Sequence, residues 1–243
     1  MPERSAIVTG GSRGIGRAIA EALAEDGYSL TITGRRPDGV QRAVSELQSA
    51  GADVHGVALN HADPDTPAEI VSQHAARFGR LDVLVNNAGV GIGAAADEQP
   101  TKFVDMQLSV NFRAMILFYR EAIPLLKASA EQTGQSHVIN LSSISGKSGQ
   151  PWLSVYSATK AAVVGYTEAM SKELASVQIK STAFCPGFVD TDMSEFVKQQ
   201  IAAEEMIRPQ DIAEGVRFVL RLSRGCTIPE IVFMRPGESG GLI

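Results

Sequence analysis

The sequence predicts an α/β fold: a single domain built on a doubly wound parallel sheet of seven strands, with helices on both faces. Three observations carry that expectation. Short apolar runs and amphipathic stretches alternate along nearly all of the 243 residues, the pattern of right-handed βαβ crossovers. A glycine-rich turn, Thr9-Gly10-Gly11-Ser12-Arg13-Gly14-Ile15-Gly16, joins the first run to the first amphipathic stretch. No Pro/Ser-rich linker, charge block, low-complexity tract or internal repeat divides the chain, so residues 1–243 read as one unit.

Ala6-Ile7-Val8 reads as a buried strand, and Ile15, Ile19, Ala22 and Leu23 recur at helical spacing after the turn. A strand, a tight glycine turn and a helix together make an anion site. Gly10 can take positive φ, Gly14 leaves room for a pyrophosphate, and Gly16 lets helix pack on strand. The helix's first N–H groups and its positive dipole end then face the phosphates. The plainer alternative is a glycine turn without a ligand, because the spacing here is GxxxGxG rather than GxGxxG.

Residues 28–33 follow Gly27, a helix stop, and form a β-branched strand that runs into Gly34-Arg35-Arg36. A dinucleotide site meets the adenosine ribose at this strand end. An acidic residue there suits a free 2′-hydroxyl, whereas arginine suits a 2′-phosphate. Arg35, Arg36 and Arg13 therefore favour NADP(H) over NAD(H), the alternative being ordinary surface arginines. A helix is expected over residues 38–50, with Val40, Val44 and Leu47 on one face, then a strand over 53–59 ending at Asn60. Pro64 is expected to open a helix to Phe78, and residues 81–85 a strand ending in Asn86-Asn87-Ala88-Gly89. In such sheets ligands sit beyond the carboxyl ends of the strands, where Gly10, Arg35, Asn60 and Asn86 all fall.

Residues 106–127 read as a long, mostly apolar helix that Pro124 kinks or shortens. Asn111 is its odd member, and a satisfied structural amide is the default reading for it. The strand over 137–141 ends in Ser142-Ser143, and a loop over 146–151 leads to Tyr156-Ser157-Ala158-Thr159-Lys160 at the start of a helix through Leu174. Tyr156 and Lys160 are spaced i, i+4 and share one helix face. A phenol with pKa near 10 is a poor acid–base catalyst at pH 7, but a neighbouring ammonium favours the phenolate. Ser143, at a strand's carboxyl end, can reach the same point and hydrogen-bond a carbonyl oxygen. The alternative for the tyrosine and lysine is a solvated helix face. A sixth strand over 179–185 leads into Pro186-Gly187-Phe188-Val189-Asp190-Thr191. Residues 192–207, with Met193 and Phe196, read as a helical flap over a substrate or as a surface helix. Pro209 suits a first helical turn, residues 228–234 close the sheet, and 236–241 form a tail.

Composition narrows the function classes. A net charge of −5 and a pI near 5.4 leave no electrostatic footprint for nucleic acid or an anionic membrane. No stretch approaches the ~20 apolar residues of a membrane span. Met1-Pro2-Glu3-Arg4 leads straight into the first strand, so no signal peptide is expected. Cys185 and Cys226 lack metal-ligand spacing, and His55, His61, His74 and His137 are scattered, so no metal is expected and a reducing cytoplasm is the natural setting.

TGGSRGIG, NNAG, the helix asparagine Asn111, Ser143 thirteen residues before Tyr156, YSATK, and PG followed by Thr191 occur in this order over nearly the whole chain. This set resembles the short-chain dehydrogenase/reductases, most of all their 3-oxoacyl-carrier-protein reductase-like branch. The resemblance implies a Rossmann-type sheet and a reversible NADP(H)-dependent reduction of a carbonyl to an alcohol by direct hydride transfer. It implies that Tyr156 is the general acid and base, that Lys160 lowers its pKa and binds the nicotinamide ribose, that Ser143 steadies the substrate oxygen, and that Asn111 holds a water in a proton relay. Gly10, Ser12, Arg13, Ile15, Asn87, Ala88, Gly89, Val189 and Thr191 match cofactor-contacting positions. Gly14, Gly16, Arg35, Arg36, Asn60, Pro186 and Gly187 complete the expected cofactor site, together with Tyr156 and Lys160. Ile144, Trp152, Leu153, Phe188, Met193 and Phe196 are candidate substrate walls beside Ser143 and Tyr156, or else core or subunit contacts. A homotetramer or homodimer is implied, with the Asn111 and Tyr156 helices at an interface.

The chain departs from the family pattern in four places. Asn60 stands where an aspartate often binds adenine. Gln178 stands where glycine is usual, which would cost about 1 kcal/mol if the backbone needs positive φ. Arg235-Pro236-Gly237 replaces the usual Asp-Gly-Gly. Residues 127–135 show one lysine and Glu131 rather than a basic patch for an acidic carrier protein, so a small free carbonyl or alcohol suits the chain at least as well as an acyl-carrier thioester. The competing classes are an NAD-linked alcohol or sugar dehydrogenase, a dehydratase or epimerase, and a non-catalytic nucleotide sensor, which would have no need of all four catalytic side chains.

Overall fold

The structure, a computed structural model, describes residues 4–237. Seven parallel strands form one sheet in the order β3-β2-β1-β4-β5-β6-β7. Within it β1 (Arg4–Val8) pairs with β2 (Tyr28–Gly34) on one side and β4 (Val83–Asn86) on the other. β3 (Val54–Ala58) closes one edge, and β5 (Ser136–Leu141), β6 (Ile179–Pro186) and β7 (Glu230–Phe233) extend the other. The strand order reverses between β1 and β4, and ligands bind beyond the carboxyl ends at such a switch.

Side chains alternate across the sheet and bury both faces. Ala6, Val8, Val83, Val85 and Ile139 face α1 (Gly14–Glu25), α2 (Pro37–Ser49) and α7 (Pro209–Leu220), where Ile19, Leu23, Val44, Leu47, Ile212 and Val216 complete one core. Ile7, Leu84 and Val138 face the other core, built by α3 (Thr66–Phe78), α5 (Ala114–Thr133) and α6 (Ser154–Glu173) with Ile70, Met115, Phe118, Tyr119 and Val163.

Four elements differ from the expectations. Helix α3 starts at Thr66, not Pro64, because Asn60 and Asp63 hold the intervening residues in turns through Ala62 N–H and Asp65 N–H. The helix expected over 106–127 is three pieces: α4 (Thr101–Leu108), a π-helical turn over Ser109–Arg113, and α5. Pro124 does not shorten α5, which continues to Thr133 and stops at Gly134 in the left-handed conformation. Residues 192–207 form 3₁₀ turns over Asp192–Val197 and Ala203–Glu205, not a helix; Thr191 and Ser194 cap the first turn reciprocally. β7 is confined to Glu230–Phe233. Gln178 does sit at φ 58, the left-handed region that favours glycine, where it ends the turn after α6. Residues 238–241 of the expected tail lie outside the described residues.

Candidate active site

β5 delivers its last residues to the sheet's carboxyl edge, and Ser143 stands just beyond them. Its Oγ accepts the Ser145 N–H at 3.1 Å and so starts a 3₁₀ turn over Ile144–Gly146. The following loop folds back on α6, with the Gln150 N–H donating to Ser157 Oγ at 3.1 Å. Tyr156 lies in the first turn of α6, close enough to Ser143 for that side chain to oppose the rise in its pKa. One turn later, Lys160 Nζ donates to the Leu141 carbonyl at 2.7 Å and lies 5.7 Å from the centre of the Tyr156 ring.

Burial dominates the electrostatics of this pair. It raises the Tyr156 pKa above the usual 10, with the Ser143 side chain opposing, and it pushes Lys160 down to about 8. The expected lowering of the tyrosine pKa by Lys160 is therefore not the net effect: the ammonium is turned to the Leu141 carbonyl and is itself destabilised by burial.

Asn111 sits in the π-helical turn, a distortion that recurs at functional sites. Its Oδ1 accepts the Val90 N–H at 2.7 Å, and its Nδ2 donates to the Val90 carbonyl at 2.8 Å and to Thr159 Oγ1 at 3.1 Å. Thr159 in turn donates to the Tyr156 carbonyl. The asparagine thus ties the loop after β4 to α6. Between them lies Gly89, where a Cβ would come within 3.4 Å of both Asn111 Oδ1 and Lys160 Nζ.

The glycine turn is held from the same loop. Thr9 Oγ1 accepts the N–H groups of Asn87 and Ala88 at 2.9 and 3.0 Å, and Asn87 Nδ2 donates to the carbonyls of Thr9 and Gly10. Gly10 and Gly14 take φ of 66° and 54°. A Cβ on Gly16 would collide with the Gly10 carbonyl and with Asn87 Nδ2, so only glycine permits this approach. Ile15 packs against the core, and Ser12 lies under Gly34. The first turn of α1 has neither a side-chain cap nor an acidic residue. Its N–H groups and positive dipole end suit a diphosphate.

β6 supplies the second wall. Pro186 is its last residue, Gly187 donates to the Phe233 carbonyl at 2.8 Å, and Val189 bridges to Ile207. Thr191 packs against Gly14, where a Cβ would lie 3.2 Å from its methyl group. Arg13 pairs with Asp192 at 2.7 Å rather than with anything near Arg35. Arg35 and Arg36 are exposed at the end of β2, and their guanidinium groups make no hydrogen bond or ion pair among the described residues. Asn60 is exposed too, its amide oxygen engaged by the Ala62 N–H.

The candidate substrate residues divide. Ile144 is buried behind Ser143. Trp152 is 58% exposed at φ 66, with its indole against Gly93 and its carbonyl accepting the Ala94 N–H at 2.9 Å. The Phe188 and Phe196 rings meet edge to face at 6.4 Å, and Met193 and Phe196 are exposed. Sequence reasoning missed Thr9 and Thr159 as organisers, and Gly91, which lies against the Tyr156 ring. Thr159 stands inside YSATK at i+3 from Tyr156, the one sequence signal for it; the partners of Thr9 lie 78 and 79 residues away.

The short chain dehydrogenase family profile matches residues 4–202. The 3-oxoacyl-[acyl-carrier-protein] reductase FabG of Staphylococcus aureus is 34% identical over 226 residues, covering 89% of this chain and 90% of the relative. Among solved structures, a variant actinorhodin polyketide ketoreductase with NADPH superposes with a TM-score of 0.86 at 27% identity, covering 95% of each chain. A 3-ketoacyl-(acyl-carrier-protein) reductase from Brucella melitensis complexed with NADH gives 0.86 at 27% identity, covering 96% of this chain and 97% of that one. Sequence, fold and site agree: the chain belongs to the short-chain dehydrogenase family of oxidoreductases.

Proposed function

We propose that the protein is an NADP(H)-dependent carbonyl reductase, acting reversibly as an alcohol dehydrogenase on a small ketone or aldehyde with an apolar portion or on a 3-oxoacyl group. The observation that carries this reading is that Asn111 and Lys160 meet against Gly89, with the Tyr156 ring 5.7 Å from Lys160 Nζ and Ser143 acting on the Tyr156 phenol, beside a glycine turn shaped for a diphosphate. In reduction the Tyr156 hydroxyl gives its proton to the substrate oxygen, which Ser143 also hydrogen-bonds; in the reverse direction the Tyr156 phenolate takes the proton back. Lys160, whose ammonium is anchored on the Leu141 carbonyl, would bind the nicotinamide ribose, while Asn111 keeps the loop and helix in register for the proton relay. Bound nicotinamide would supply the hydride in reduction and accept it in oxidation.

Gly10, Ser12, Gly14, Ile15 and Gly16 would hold the pyrophosphate, Asn60 the adenine end, and Asn87, Ala88, Gly89, Val189 and Thr191 the nicotinamide half. Pro186 and Gly187 carry the chain past it. The β2 end lacks an acidic residue and presents Arg35 and Arg36 unpaired, which favours a 2′-phosphate. The same reading expects α5 and α6 at the interface of a homotetramer or homodimer, which light scattering would measure. Fluorescence titration of the purified protein with NADPH and NADH separately tests the cofactor assignment. Much tighter NADPH binding is expected; equal or tighter NADH binding would turn the assignment to an NAD-linked alcohol dehydrogenase.

A further inference from the structure

Beneath the glycine turn runs a chain of buried side chains that the proposed reaction leaves unused. Thr33 Oγ1 accepts the Gly10 N–H at 3.2 Å and lies 2.8 Å from His61 Nε2. Thr33 is fully buried, and His61 Nε2 is the acceptor available to its hydroxyl proton among the described residues. The hydroxyl therefore donates to Nε2, and the neutral imidazole carries its own proton on Nδ1. Burial keeps His61 neutral, lowering its pKa to about 4. Its Nδ1 is buried and has no protein partner.

The other end of the chain is fixed independently. The Tyr119 hydroxyl donates to Ser181 Oγ at 3.0 Å, and that of Thr167 to the Val163 carbonyl at 2.6 Å. Both hydroxyls accept from Asn140 Nδ2, at 2.8 and 2.9 Å. That orients the Asn140 amide, whose Oδ1 accepts from Asn86 Nδ2 at 2.8 Å. Asn86 Oδ1 is left buried and without a donor.

His61 and Asn86 line the same cavity of about 10 Å³, with Thr9, Asn111 and Phe118 among its other walls. That is room for one water, and a buried polar group without a partner costs stability. One unpaired donor and one unpaired acceptor on a cavity of this size are what a single water satisfies.

We infer that one ordered water is bound between the Nδ1–H of His61 and Oδ1 of Asn86, and that His61 is a positioning residue for the glycine turn, acting through Thr33. The water accepts from Nδ1–H and donates to Oδ1. It completes an unbroken polar chain from the Gly10 amide, through β2, β4 and β5, to Ser181 on β6. The positioning part rests on the reading that the glycine turn holds the cofactor; the water itself does not.

Two arms test it on the full-length protein. Nitrogen-15 NMR of the histidine-labelled enzyme, which has four histidines, should show His61 as the Nδ1–H tautomer at neutral pH. A crystal structure should show one density peak within hydrogen-bond distance of both His61 Nδ1 and Asn86 Oδ1. The Nε2–H tautomer, or direct contact between the two side chains, would overturn the water. In the kinetic arm, His61→Val and Thr33→Val should each raise KM for NADPH about tenfold, the equivalent of one lost buried hydrogen bond, with kcat little changed. His61→Gln, which keeps an acceptor and a donor, should restore KM. An unchanged KM in His61→Val, or no rescue by glutamine, would overturn the positioning role. Absence of NADPH binding by the unmodified enzyme would refute the proposed function instead, while the first arm would still decide the water.

Discussion

The glycine turn and residues 188–207 face each other across the candidate cofactor site, and they are built in opposite ways. Around the turn, Thr9, Asn87 and Gly16 leave no slack: hydrogen bonds reach it from the loop after β4, and one added methyl group would collide. Residues 188–207 lie over the sheet edge as short 3₁₀ turns tied down by the Val189–Ile207 bridge, with Met193 51% and Phe196 59% exposed. Thr191 against Gly14 and Arg13 with Asp192 join the two. The difference teaches a division of labour. In the proposed function a diphosphate, the same in every turnover, suits a preformed cradle, whereas the exposed Met193 and Phe196 would leave the other side free to accommodate varied apolar groups.

The largest expected effect tests how far the rigid half depends on buried neutral histidines. Burial lowers His61, His74 and His137 to about 4, 4 and 3. Unfolded histidine takes up a proton near pH 6.5, so between pH 6.5 and 4 the unfolded state binds more protons and stability falls with pH. Each such histidine should cost up to roughly 3 kcal/mol by pH 4. Urea unfolding across this window measures it; a flat profile would remove the histidines from the account. Next, Gly16→Ala should destabilise the protein by about 1–3 kcal/mol through overpacking and weaken NADPH binding at least tenfold. Wild-type affinity in that variant would show that the turn is as adaptable as the segment opposite it.

Outside both regions, Gln178→Gly should relieve the left-handed strain at φ 58 and add about 1 kcal/mol, or roughly 2–4 °C in Tm. An unchanged or lower Tm would mean that the glutamine side chain compensates locally. The smallest effect lies at the junction. Both members of the Arg13–Asp192 pair are mostly exposed, and such pairs contribute about 0–1 kcal/mol. Asp192→Ala should free Arg13 for a 2′-phosphate and tighten NADPH about threefold while leaving NADH unchanged. Equal gains for both cofactors would place Arg13 away from the 2′-phosphate.

The sequence made the fold legible where the signal is local. Apolar runs separated by helical periodicity marked every strand, and Gly10, Gly14 and Gly16 marked the turn between β1 and α1. Tyr156 and Lys160 could be placed on one helix face from spacing alone. What stayed illegible depends on partners distant in the chain. Nothing local announces a π-helical turn at Asn111, whose amide is matched to Val90 and Thr159. The pairing of Arg13 with Asp192 spans 179 residues. Mixed polarity over 192–207 suggested a helix, but Thr191 and Ser194 begin a 3₁₀ turn that α-helical periodicity does not describe. The upward shift of the Tyr156 pKa likewise comes from burial, which no spacing reveals.

The most direct test of the account is Tyr156→Phe, with NADPH binding and NADPH oxidation against a panel of apolar ketones measured on the same preparation. General acid catalysis contributes roughly 10²–10⁴-fold, so turnover should fall by at least that factor while NADPH binding stays close to that of the unmodified enzyme. Turnover retained in the phenylalanine variant would contradict the central claim that Tyr156 delivers the proton.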